Sequence, residues 1–445
     1  MCVSSEYRRR ALLTIAHGGD ALPRSVIINA HYMAFIEKRL KTYLWLAGCA
    51  ALAASMSGCG GGASSNSNKQ TTPLSGLKKR VLLSNQQGGS VTIVDAQKDQ
   101  LFNKGFSISG ASKMLTASGK TVVMQQGFTN IEVIDSATET SVVALQLRDQ
   151  PFDIAISATD GKTGYAALRN VGEIAVFNTS NGNLLSITGV PLVTRLVEGP
   201  NEHKLLGFPD NPNLVAGGGF FVIDTSTNTV TTITGGASFD QPYTAVFDPT
   251  DTSDNTVWVL NCGPECGGTA ASVVKVNLNG PIIGTPIAVS GATAGVLSGT
   301  TLFVAGTPFG STTGKLQAVN TSTLTAGGAV SIANGTHAKM VLASNNRLFI
   351  GSRGCTISLG SVANTVTSCL SIFNTSSSAV VIPEVSAFRQ SVGVTGIQPI
   401  SGRSVVYVCQ GGELDIYDTT IDKAITPNPP IDIIGLAFDV VQIDP

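Results

Sequence analysis

Five cysteines lie downstream of residue 60, as two close pairs and a singleton, and paired thiols either oxidise to disulfides or hold a metal. Cys262 and Cys266 enclose CGPEC after an apolar run, and Cys355 and Cys369 bracket a longer insertion. Neither spacing is the C-x2-C pair of a zinc site, so two local disulfides are expected, Cys262–Cys266 and Cys355–Cys369. Cys409 falls inside an apolar run and reads as a buried free thiol. Beyond residue 58 the only histidines are His203 and His337, too few for a multi-histidine centre, and both are expected at strand ends or facing solvent. Asp153, Glu202, Asp210, Asp240, Glu265 and Glu413 are candidates for a carboxylate cluster that would suit Ca²⁺, but their scatter along the chain favours turn and surface roles, and no cofactor is expected. No nucleophile elbow, phosphate loop or His-Glu-x-x-His motif is present, and Trp258, in an apolar run, reads as packing.

These residues sit on a repeat. The clearest copy, residues 151 to 189, reads as four short strands: Phe152 to Ser157, Gly164 to Arg169, Glu173 to Phe177 and Leu184 to Thr188, with Asp160-Gly161 as the first hairpin turn. The third strand ends on a short polar residue able to accept a backbone N–H two residues on. That residue recurs as Asp95, Asp135, Asn178, Asp224, Asn277, Asn320, Asn374 and Asp418, at intervals of 40, 43, 46, 53, 43, 54 and 44 residues. Periods of this length mark propellers and arrays, since one such sheet cannot cover its own apolar faces. The chain ends in a strand of the first-strand type, GLAFDVVQIDP, while the first unit begins at its second strand. An all-β, eight-bladed β-propeller of four-stranded antiparallel blades is therefore expected over residues 80–445, with Leu436 to Ile443 closing the first blade and seven blades as the alternative should the fourth or eighth unit fail as a sheet. The units resemble the YVTN-type β-propeller repeat, best over IEVIDSATET, QPFDIAISATDGKTGYAA and IAVFNTSNG; the resemblance implies a fold and no particular activity.

The amino-terminal part reads differently. From Met33, the expected true start, a basic stretch MAFIEKRLK precedes an apolar core from Tyr43 to Ala54, too short for a comfortable span, so residues 1–58 are read as an export signal with an upstream extension. Met56-Ser57-Gly58-Cys59 resembles the lipobox of bacterial lipoproteins, which implies lipid attachment at Cys59. The alternative Leu46-Ala47-Gly48-Cys49 matches the lipobox better residue by residue but leaves only a few apolar positions upstream, so length favours Cys59. Residues 59–79, rich in Gly, Ser, Asn and Thr, read as a flexible tether. The compartment implied is oxidising, which favours the disulfides.

Charged residues make up only 13% of the chain. That is about half the usual share, and with 49 glycines it excludes a helical bundle. Beyond residue 58 there are 21 bases and 26 acids, a net charge of −5, which does not suit a nucleic-acid surface. Together these features lead us to expect an exported, lipid-anchored monomer at the cell envelope, in the outer membrane or facing the periplasm, binding an envelope protein or glycan. The competing class is a hydrolase similar to the propeller lactonases, with carboxylates or a metal in the central channel.

Overall fold

The computed structural model describes residues 75–211, 215, 218–389, 393–427 and 431–444, all within the unit Lys69–Pro445. The export signal, Cys59 and the tether up to residue 74 lie outside the described residues.

The second strand of each unit is an unbroken apolar run rather than an alternating one, because both of its faces are covered. Arg80–Asn85 and Val405–Gln410 are buried at every position. Each such strand pairs antiparallel with a first strand on one side and a third on the other, and a fourth lies outside. Eight of these sheets form, including the fourth unit (Val193–Glu198 to Thr229–Thr234) and the eighth (Val394–Pro399 to Lys423–Ile425). Each first strand packs against the first strand of the next blade, and the eighth packs against Ala437–Gln442. The chain is thus an eight-bladed β-propeller with the first strands innermost.

Closure follows from register. Ala437–Gln442 pairs with Arg80–Asn85, placing Leu82 opposite Val441 and Leu83 opposite Val440, with a bulge at Phe438. The carboxyl terminus is locked again by Asp444, which receives the Arg80 backbone N–H at 2.7 Å and pairs with its guanidinium at 2.6 Å.

Eight apolar clusters separate the eight blades, one per interface. Leu206, Phe208, Phe220, Val257, Val259 and Val274 fill the space between blades 4 and 5. Trp258 joins Leu260, Leu302 and Val304 between blades 5 and 6. The outer strands of blades 5 and 6 are split in two, interrupted at Pro286 and at Gly327-Gly328, where chain geometry does not favour an extended run.

Each of the eight periodic Asp or Asn residues is the last residue of a third strand. Its side-chain oxygen accepts backbone N–H groups of the turn: Asp95 from Gln97 at 3.0 Å, Asn178 from Ser180 at 2.8 Å, Asn320 from Ser322 at 2.9 Å, Asp418 from Thr420 at 2.7 Å. Asp135, Asp224, Asn277 and Asn374 accept in the same way. Four residues after Asp95, Asp135 and Asp418 the chain turns left-handed at Asp99, Glu139 and Asp422. These acids pair with arginines of the preceding blade: Arg403 with Asp99 at 2.5 Å, Arg80 with Glu139 at 2.8 Å, Arg347 with Asp422 at 2.6 Å. The turn chemistry therefore also tethers one blade to the next, a use that spacing alone did not disclose.

Candidate functional site

In an up-and-down sheet the connections from second to third strand, and from fourth strand to the next first strand, emerge on one face of the ring. Both cysteine loops are of this kind. Cys262–Cys266 is bonded with a Cα separation of 5.7 Å and Cys355–Cys369 with 5.6 Å. The longer bridge, closing a loop of 14 residues' separation, is worth about 3 kcal/mol through the unfolded chain. Cys409 is a free, fully buried thiol, raised well above the usual thiol range by burial.

The shorter loop folds as a 3-10 turn, Gly263–Cys266, and directs Glu265 toward blade 6, where its carboxylate accepts the Thr307 N–H at 2.8 Å. Burial pushes Glu265 up to about 7. A cavity of about 250 Å³ lies beside it, walled by Pro264, Glu265, Ala270, Val289 and Phe309.

Aligned by register, the eight innermost strands place a ring of residues at one equivalent position near their start, at a bulge in all but blades 3 and 6: Asp439, Lys113, Asp153, Arg195, Thr244, Ala294, Lys339 and Gly396, in blades 1 to 8. Lys113 pairs with Asp153 at 2.5 Å. Asp153 also accepts the Leu196 N–H of blade 4 at 2.8 Å, and Asp439 accepts the Met114 N–H of blade 2 at 2.9 Å. Lys339 reaches past blade 8 to Asp439 at 3.3 Å. The path over blade 8 stays open because that position is Gly396, where a Cβ would lie 2.9 Å from the Asp439 carboxylate. Arg195 stacks 3.8 Å over the Tyr243 ring and donates to the Tyr243 carbonyl at 2.7 Å. Acid and base alternate through blades 1 to 4, so this mouth of the channel is stitched by charge. The signal was present in the sequence, in the third residue of PFD, VTR, HAK and AFD, but it is invisible until the strands are aligned by register.

The six carboxylates singled out from sequence do not converge. Asp153 alone belongs to the ring. Asp210 pairs with Arg169 at 2.6 Å. Burial works to raise Asp240, but the Thr269 hydroxyl and the Thr269 and Ala270 N–H groups outweigh it and hold the carboxyl below its usual range. Glu413 opens the third strand of blade 8 and is raised by burial. Glu202 lies toward the opposite face, where its carboxylate accepts the Asp160 N–H at 3.3 Å. On that side burial, with Glu202 and Asp254 nearby, raises Glu198 to about 8, so that it carries a proton at neutral pH. Among the described residues no group of three or more His, Cys, Asp or Glu side chains is arranged to hold a metal.

His203 is exposed, whereas His337 sits at a strand end, second in Thr336–Ala343, but is buried beside the bulge of blade 7 rather than facing solvent. One ring nitrogen bonds the Ala333 carbonyl at 3.0 Å and the other has no partner. Proximity to Gly314 of blade 6 and Ile332 explains the burial, which depends on a neighbouring blade and has no local sequence mark. Burial lowers its pKa from 6.5 to about 4. As pH falls from 6.5 to about 4 the unfolded chain gains a proton that the folded protein refuses, so stability is full above 6.5 and drops by about 3 kcal/mol across that window. Urea unfolding at pH 7 and pH 4.5 should show His337→Leu to be less acid-sensitive than the parent. Parallel losses in the two proteins would rule out a buried neutral ring.

Exposed apolar side chains complete this face. Phe309, Leu359, Phe388 and Ile434 are 81%, 88%, 82% and 92% exposed, all on its connections and all in the sector from blade 6 to the start of blade 1. The opposite mouth holds a cavity of about 670 Å³ lined by Thr116, Leu342, Pro399, Gln442 and their neighbours.

A closed eight-bladed propeller with one apolar, disulfide-bound face is the class of protein these features define. No family model matches the chain, and no curated protein matches it. Its likenesses are to solved propellers. The dihydro-heme d1 dehydrogenase NirN in complex with DHE superposes with a TM-score of 0.60 at 10% identity, over 84% of this chain and 79% of that one. AztD from Citrobacter koseri gives 0.56 at 10% identity over 82% and 98%. A functionally unknown protein from Desulfotomaculum acetoxidans gives 0.50 at 10% identity over 82% and 99%. At such identities the likeness is one of fold.

Proposed function

We propose that this protein is exported, anchored by a lipid on Cys59, and serves at the bacterial cell envelope as a binding scaffold, with the face of the disulfide-bound loops as its contact surface. The observation that carries the reading is the concentration of strongly exposed apolar side chains on that face, Phe309, Leu359, Phe388 and Ile434, above a mouth tied by charge. Exposed apolar groups gathered on one face mark interaction sites, and a rigid ring lowers the ordering cost of binding. Two disulfides support an oxidising compartment. The partner is an envelope protein or glycan, and the propeller acts as a monomer without a cofactor.

The anchor and the contact face are tested separately. Cys59→Ser is expected to abolish incorporation of labelled palmitate and to move the protein from the membrane to the soluble envelope fraction. Mass spectrometry of a mature amino terminus other than a diacylated Cys59 would remove the anchor. Affinity capture from intact cells should retain a partner with the parent propeller and lose it with Phe309→Asp/Phe388→Asp. Equal capture by both would reject this face as the contact surface.

A further inference from the structure

The insertion of blade 7 is more than a covalently closed loop. Residues 358–360 run antiparallel to Thr365–Thr367, which in turn pairs with Glu384–Ser386, giving a small three-stranded finger on the face described above. Thr367 N–H bonds the Ser358 carbonyl at 3.0 Å and Gly360 N–H bonds the Thr365 carbonyl at 2.9 Å. Leu359, opposite Val366, therefore occupies the pair between those bonds, and its own N–H and C=O turn outward from the finger. Ile357 lies two residues back, outside the bridged stretch. No hydrogen bond from a described residue reaches the backbone of either.

We propose that this free edge is a docking strand for an extended, uncharged segment of another polypeptide, which adds to the finger as one more β-strand. The inference rests on the scaffold reading and names the chemistry of its partner. An outward row of alternating donors and acceptors is complementary in partial charge to one ligand above all, the main chain of an extended peptide. Exposed edges are ordinarily blunted by charge, proline or twist. This one is not: residues 354–382 contain no Asp, Glu, Lys, Arg or Pro. Ile357 and Leu359 are 50% and 88% exposed, ready to meet apolar side chains of the incoming segment. The edge is also held in place before any partner arrives. Cys355–Cys369 closes the base of the finger, and Glu384 fixes its tip by accepting the Ser361 N–H at 2.7 Å and the Thr365 hydroxyl at 2.7 Å. Ordering that is already complete adds nothing to the cost of binding.

The test uses the purified, disulfide-intact protein and a short peptide of alternating threonine and valine, with the same peptide N-methylated at every second residue as control. Hydrogen exchange should show the Ile357 and Leu359 amides slowed about tenfold or more by the parent peptide. The control should leave them unchanged. Leu359→Lys, which keeps the backbone but places a charge beside the added strand, should abolish that protection while leaving the thermal midpoint unaltered. Equal binding of the N-methylated peptide, or protection that survives in Leu359→Lys, overturns the docking strand. So does protection that grows with protein concentration alone, which would identify a second copy as the occupant. Binding to phosphatidylcholine vesicles that is lost in Leu359→Lys, without peptide protection, would identify a lipid surface instead. Any of these results leaves the scaffold reading to stand or fall on capture by Phe309→Asp/Phe388→Asp, which does not alter the finger's edge.

Discussion

Deleting residues 436–445 is expected to leave a chain that no longer unfolds as a cooperative unit. The deleted segment supplies the innermost strand of blade 1, and without it Arg80–Asn85 becomes a free edge facing the channel. Val440 is taken from the cluster between blades 8 and 1 and Val441 from the cluster between blades 1 and 2. Each buried valine contributes about 1.5–3 kcal/mol. The deletion also strips the buried Arg80 of its 2.6 Å partner Asp444 and takes Asp439 from Lys339 and Met114. The sum rivals the about 5–15 kcal/mol that holds a whole domain together. Scanning calorimetry should show no sharp transition and the product should aggregate through its open edge. A single transition within a few degrees of the parent would mean that the ring does not depend on its carboxyl-terminal strand.

Asp439→Ala should cost about 3–5 kcal/mol, because the variant leaves a partly buried ammonium and a buried N–H without their acceptor. The Asp439 carboxylate, 3% exposed at the side chain, accepts the Met114 N–H at 2.9 Å and pairs with Lys339 at 3.3 Å. Asp439→Asn retains an acceptor for Met114 and should cost markedly less. The cycle with Lys339→Met separates the two terms: if the ion pair matters, Lys339→Met should recover part of the loss in the Asp439→Ala background. Urea midpoints at constant slope provide the measurement. A loss below about 1 kcal/mol for Asp439→Ala would place this pair among weak surface contacts.

How far these features could be read from the chain differed by kind. The blades were legible because Asp95, Asp135, Asn178 and their successors do local work: the side chain of each bonds to backbone two or three residues away, so its identity is dictated within a single turn. The closing strand was legible for a related reason, since a first unit that lacks a first strand must find one elsewhere. Cys262–Cys266 and Cys355–Cys369 were legible because their partners are near in sequence.

The ring Asp439, Lys113, Asp153, Arg195 escaped notice because its members lie in different blades and fall level only through the strand registers, three of them offset by bulges. The burial of His337 at its strand end was hidden for the same reason: what covers it comes in part from blade 6. The insertion between Cys355 and Cys369 gave no sign of the finger, because its pairing joins residues 358–360 and 365–367 to 384–386 across the intervening third and fourth strands of the blade.

Taken alone, then, the sequence determined the repeat, the turns and the closure, which depend on local hydrogen bonding and on apolar runs that must be covered, and left seven or eight blades open until the fourth and eighth units were seen to form sheets. The tertiary structure alone decided which charges pair across the mouth, which polar ring is buried and which edge is left open, because each depends on the distance between segments far apart in the chain, set only when the blades close round their axis.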